Sequence, residues 1–220
     1  MALPTYLQLV NDVLVRLREP TVDTVNQNTL SSVIGKFVND AKREVADSYE
    51  WDAFNTSVTV ATIANQYTDY SLTGAGLRFK VMNVINTSRQ YVLEPWSHTQ
   101  LDVEAFGTAN PQKTTPFHYI FGGVDSNGDA QVKFWPIPDG TYNIRFSLIV
   151  PENDFVANDD TTKLPKEPIV LGALARALVE RGEDGGLSSS ECFALAKKAT
   201  ADLIAIELAR SPENDAWYPT

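Results

Sequence analysis

The spacing of apolar residues changes period twice along this chain, and that constrains the fold more than any motif in it. Near the start, Tyr6, Leu7, Val10, Val13, Leu14 and Leu17 recur at helical spacing behind Thr5, a residue suited to cap a helix, and Pro20 stops the pattern. A second helix is expected from about Thr29 to Trp51, with Leu30, Val33, Ile34, Phe37, Val38, Ala41, Val45 and Tyr49 on one stripe and charges around the rest. In the middle the period drops to two. Ser57–Ile63, Tyr67–Leu72, Arg78–Ile85, Tyr91–Glu94, Phe117–Phe121, Ala130–Trp135 and Tyr142–Val150 read as short strands, with a helix possible over His98–Phe106. Asp125-Ser126-Asn127-Gly128-Asp129 lies between two of these runs, and Asn-Gly there is a strong hairpin signal. Helical spacing then returns. Lys166 to Glu183 carries Val170, Leu171, Leu174, Ala177 and Leu178, and Gly182, Gly185 and Gly186 end it. Ser188, Ser189 or Ser190 is expected to cap a last helix that carries Cys192, Leu195, Ala196, Ala199, Leu203 and Ile206 and ends at Pro212.

Neither helical block can bury its stripe alone, so the simplest solution packs the two ends together. The expected class is α+β. A four-helix bundle forms from residues 1–54 and 164–210, and an antiparallel β-sandwich or barrel-like domain of six or seven strands is inserted as residues 55–163. A polar C-terminal tail, 211–220, follows.

The chain has 220 residues, 43% of them hydrophobic, which is enough for a substantial core. With 18 Lys and Arg against 28 Asp and Glu the net charge is −10, spread over all three blocks. That disfavours a DNA grip or a basic membrane surface, both of which rest on clustered cations. Cys192 is the only cysteine, which excludes an internal disulfide and a cysteine metal site and fits a small core residue. The first residues lack the basic and apolar regions of a signal peptide, and no apolar run is long enough to span a bilayer. Synthesis in a reducing cytoplasm is expected.

Chemistry-bearing motifs fail on inspection. Asp125–Asp129 begins like a calcium loop, but glycine stands fourth instead of sixth, and Pro136 occupies the twelfth position. Gly74-Ala75-Gly76 begins like a dinucleotide fingerprint, but Phe79 takes the third glycine position and no helix follows. No local motif pairs His98 or His118 with a nucleophile, and none selects two carboxylates for glycoside hydrolysis. Catalytic, cofactor-binding and metal-ligating residues are therefore all expected to be absent. Trp51 and Trp135 read as core. Trp217 and Tyr218, adjacent in a polar tail, suit either insertion into a partner's groove or folding back on the bundle.

Two stretches, Val33-Ile34-Gly35-Lys36-Phe37-Val38-Asn39-Asp40-Ala41-Lys42-Arg43-Glu44-Val45 and Gly172 through Gly186 (GALARALVERGEDGG), together with the opening Leu7–Leu14, resemble the head-to-tail adaptors of short-tailed bacteriophages, the tail tubular protein A group. The layout of helices, β insertion, helices and tail is similar over nearly the whole chain. The resemblance implies a structural virion protein of the tail or neck, assembled in the bacterial host cytoplasm. Such proteins form a ring of about twelve copies, a dodecamer closed by rotation. It joins the portal protein to the tail nozzle protein, and double-stranded DNA passes through the ejection channel without specific binding. Carried over, Ser211, Glu213, Asp215, Trp217 and Tyr218 would bind the portal, while the second and last helices would serve as bundle and ring contacts. In such a ring the acidity would total about −120, which repels phosphate over roughly a Debye length of 8–10 Å. The alternatives are another tail component, such as a nozzle-proximal protein, or a polysaccharide-acting or carbohydrate-binding protein using the β domain.

Overall fold

Thr5 opens the first helix as its spacing predicts. Its side chain accepts from Gln8 N at 3.2 Å, and the Gln8 side chain accepts from Thr5 N at 3.1 Å, so a reciprocal box caps α1 (Tyr6–Arg16). Asn28 and Ser31 make the same box at the start of α2 (Thr29–Asp47). The computed structural model describes residues 3–107, 109–182 and 187–210. Among these the remaining helices are α3 (His98–Phe106), α4 (Lys166–Arg181) and α5 (Leu187–Arg210). The strands are β1 (Asn55–Ala61), β2 (Tyr70–Ser71), β3 (Lys80–Asn86), β4 (Tyr91–Val92), β5 (Glu94–Pro95), β6 (His118–Val124), β7 (Ala130–Trp135) and β8 (Asn143–Ile149). The class is α+β.

The chain forms two units, one from its ends up to Ala53 and from Glu152 on, the other from Phe54 to Pro151. In the helical unit α4 is packed by α1, α2 and α5, and α1 packs on α2. This central position explains why α4 buries residues around its circumference, among them Ile169, Val170, Gly172, Ala173, Leu174 and Ala175. Gly182, at φ 64, closes α4 in a left-handed turn open to glycine without strain.

Several expectations need correction here. The second helix stops at Asp47 instead of Trp51. Trp51 lies outside it, 4% exposed, with its Nε1 donating to Val45 O at 2.9 Å. Ser188, Ser189 and Ser190 lie within α5 and do not precede it. Residues 152–163, expected in the β insertion, belong to the helical unit. The reason is the amide ends of α1: Tyr6 N donates to Asp160 O at 2.8 Å and Leu7 N to Asn158 O at 3.1 Å, which satisfies donors that a helix start leaves open.

Among its described residues the β unit holds two four-stranded sheets, ordered β1-β8-β3-β4 and β2-β7-β6-β5, and no closed barrel. Eight strands among the described residues replace the six or seven expected; the extra one is β5, two residues ending in Pro95 and too short to show an alternating pattern. The pairing is not wholly antiparallel, because β5 runs parallel to β6, with Glu94 opposite His118. One buried cluster draws on both sheets: Val60, Val84, Ile144, Phe146 and Leu148 from the first, Tyr70, Tyr119, Val132 and Phe134 from the second. The predicted β6–β7 hairpin forms, with Gly128 at φ 87 in its turn.

Candidate functional site

The two stretches that carry the resemblance meet at the α2–α4 contact. Gly172 permits the close approach there, since a Cβ on it would lie 3.2 Å from Ala41 Cβ. Gly35 does the same towards α1 and the 20s loop, where a Cβ would press on Tyr6 Oη and lie 2.8 Å from Val25 Cγ1. Beside Gly172, Arg176 accounts for the polar part of the contact. Its Nη2 donates to Glu44 Oε2 at 2.7 Å, its Nη1 to Gly172 O at 2.9 Å, and its guanidinium lies 5.6 Å from the Phe193 ring centre on α5.

A second face of α2 holds the segment that follows the β unit. Asn39 Nδ2 donates to Phe155 O at 3.1 Å, and Phe155 N donates to Asn39 Oδ1 at 2.8 Å. Lys42, only 2% exposed, donates to Asn153 O and sits over the Phe155 ring, 3.8 Å from its centre. Burial lowers the Lys42 pKa from its ordinary value, with Glu152, Asp154 and Asp160 opposing. Arg43 bonds Asp154 at 2.6 Å, and the Phe155 ring stacks on Tyr6 with 5.0 Å between centres. Sequence reasoning missed this grip because polar Asn39 and Lys42 fall outside the apolar stripe. Their i, i+3 spacing and the four-residue step from Gly35 to Asn39 were the available signal.

The motifs set aside as chemistry have structural partners. The Gly74 and Gly76 amides donate to the two Asp129 carboxylate oxygens at 3.0 and 2.9 Å, so the Gly-Ala-Gly loop already cradles an anion of its own chain. Asp125 Oδ1 accepts from Asn127 N and Asp129 N, and these backbone bonds, that from Asp129 foremost, hold its carboxyl below the usual carboxylate range. His118 stacks on Trp96, 4.1 Å between centres and 7° from parallel. Trp135 is 2% exposed, beside Leu101, Ile120 and Ile137. Cys192 is half-buried. Among the described residues no group of three or more His, Cys, Asp or Glu gathers as a metal site, and no helix is long and apolar enough to cross a membrane.

α5 differs from its sequence reading. Leu195 and Ile206, expected in its buried stripe, are 46% and 51% exposed, while Ser189, Ala196 and Glu207 are the buried positions among its described side chains. Three grooves flank the helix, of about 190, 370 and 420 Å³; the first, between α2, α4 and α5, is lined by Val45, Pro168, Phe193 and Ile204 among others. The predicted portal-binding residues, Ser211, Glu213, Asp215, Trp217 and Tyr218, lie outside the described residues, as does Pro212, the expected stop of α5.

The helical unit leaves apolar residues of α5 exposed, Leu195, Ile206 and Leu208 among them. The chain belongs to the SU10 adaptor protein family, whose model matches residues 4–217. It is thereby a bacteriophage adaptor, a structural component of the virion that meets other head and tail components. No curated protein matches it.

Proposed function

We propose that this adaptor is a ring subunit that joins the portal to the tail nozzle and forms part of the channel through which the genome leaves. The observation that carries the reading is the family match over nearly the full chain, together with the placing of the two resembling stretches, α2 and α4, against each other. In this reading α1, α2, α4 and α5 act as a four-helix bundle and the two sheets as a sandwich. The exposed apolar residues of α5 meet neighbouring copies, because a long helix with Leu195, Ile206 and Leu208 left in water gains by being covered. About twelve copies would close the ring by rotation. Residues 211–220 dock on the portal, with Trp217 and Tyr218 as anchors and Ser211, Glu213 and Asp215 as polar contacts. The net charge of −10 per copy keeps the channel wall from binding the DNA that slides through it.

The test is to mix the full chain with its portal and image the complex. A ring seated on the portal is expected. Removing residues 211–220 is expected to leave the circular-dichroism spectrum and melting unchanged while abolishing portal binding. Undiminished binding by the truncated chain would remove the tail from the interface.

A further inference from the structure

The groove of about 420 Å³ lies at the C-terminal end of α5, between that helix and residues 51–53 and 163–165, all within the helical unit. Trp51 and Leu164 give it an apolar floor, both buried. Leu203, half-buried, and Ile206, 51% exposed, give it an apolar rim on α5. Arg210, the last described residue, lines the same groove, so the chain that follows starts at the groove's own wall. The charges around it are unequally matched. Glu207 accepts from Asp52 N at 3.2 Å and from Arg210 Nη1 at 3.0 Å. Lys163 donates to Ala53 O at 3.1 Å and pairs with no carboxylate among the described residues. The groove thus fits an occupant that is aromatic or aliphatic at one point and acidic beside it.

Residues 211–220, Ser211-Pro212-Glu213-Asn214-Asp215-Ala216-Trp217-Tyr218-Pro219-Thr220, have that make-up: two carboxylates shortly before two adjacent rings, and no cation. Pro212 disfavours a further helical turn, so the chain can reverse beside the groove. Trp217 stands seven residues past Arg210, a reach of up to about 25 Å when extended. Ile206 lies only one turn, about 6 Å, back along α5. On so short a tether the tail meets the groove at an effective concentration of roughly millimolar, an advantage no separate molecule has. We propose that in the free chain residues 211–220 turn back on α5, seat the Trp217 ring in this groove over Ile206, and set Glu213 and Asp215 towards Lys163. The contact does not depend on the portal reading; where that reading holds, the portal must draw the same tail out of its groove. Held by one ring on a tether, the tail is closed by roughly ten to one at 25 °C and opens before the helices melt, so its removal leaves the melting curve where it is.

The experiment is fluorine NMR of the full chain carrying 5-fluorotryptophan, with the Trp217 signal assigned by its loss in Trp217→Phe and its exposure read from broadening by a soluble gadolinium chelate. Broadening of the Trp217 signal is expected to be weak in the wild type, roughly fivefold stronger in Ile206→Glu, and about twofold stronger in Lys163→Glu, where an exposed charge pair is reversed. Both substituted side chains are exposed, and circular dichroism checks that each variant folds; Lys163→Glu decides the matter if Ile206→Glu does not. A Trp217 signal broadened as fully in the wild type as in the urea-unfolded chain would overturn the proposal. So would protection that neither variant reduces. Protection that grows with protein concentration would overturn it as well, because the groove would then hold the tail of a second copy.

Discussion

Arg176 on α4 and Glu44 on α2 are joined at 2.7 Å, and the two ends of the bond are unequally placed: the arginine side chain is 23% exposed, the glutamate 55%. The glutamate half is a surface partner, worth under about 1 kcal/mol. The arginine also bonds Gly172 O and covers Phe193. Glu44→Ala is therefore expected to lower stability in urea by about 0.5 kcal/mol and Arg176→Ala by roughly 1–2 kcal/mol, with a coupling below about 1 kcal/mol in the double-mutant cycle.

Gly35 tests the closeness of α1, α2 and the 20s loop. The nearest atoms to an added Cβ are the Tyr6 hydroxyl oxygen and then Val25 Cγ1 at 2.8 Å. Tyr6 and Val25 are both buried, so neither swings aside cheaply. Gly35→Ala gains helix propensity yet is expected to lose about 1–3 kcal/mol overall through overpacking. Gly74→Ala would face open space instead, and its cost would come from φ +82 alone. Urea midpoints of the two variants separate the causes.

Local signals account for what was legible in the sequence. Thr5 as a cap, the start of α2 at Thr29, α3 over His98–Phe106 and the Asn127-Gly128 hairpin each depend on a few adjacent residues, and each is where the residues put it. What was hidden depends on distant partners. A two-residue strand such as β5, ending in Pro95, has no period to read. Residues 152–163 join the helices because the α1 amides and Asn39 reach them across more than a hundred residues. Lys42 reads as a solvent-facing charge until Asn153 and Phe155 are placed against it. α5 reads as an amphipathic helix because its apolar residues outnumber the positions this chain itself covers. The residues proposed to bind the portal, all in 211–220, rested on the resemblance and on the Trp217-Tyr218 pair in a polar tail, and they lie outside the described residues.

Asn39 is the clearest case of a long-range polar contact, since its amide pairs with both backbone groups of Phe155 at a buried site. Asn39→Leu keeps the volume and removes both bonds. It leaves a buried N–H and a buried C=O unpaired, so a loss of roughly 2–4 kcal/mol is expected. Hydrogen exchange would show its location, with faster exchange at the Phe155 amide and little change at the β6–β7 hairpin.

His118 gives the β unit a pH dependence whose sign follows from its surroundings. The ring lies flat on Trp96 and meets Phe117 edge-on with 4.7 Å between centres, and its Nδ1 is buried without a partner among the described residues. Burial holds its pKa below the ordinary value, against the opposing pull of Glu94 on the neighbouring strand. The unfolded chain then takes up a proton near pH about 6.5 while the folded chain does not. Stability contributed by the neutral ring is full above that pH, falls as the solution is acidified towards the lowered pKa, and levels off below it. His118→Gln, which does not titrate, is expected to flatten this part of the curve. Melting temperatures of both proteins from about pH 7 down to about pH 5 would show it as a difference that changes as the pH drops below about 6.5. Parallel curves for the two proteins would show that His118 is not the titrating group.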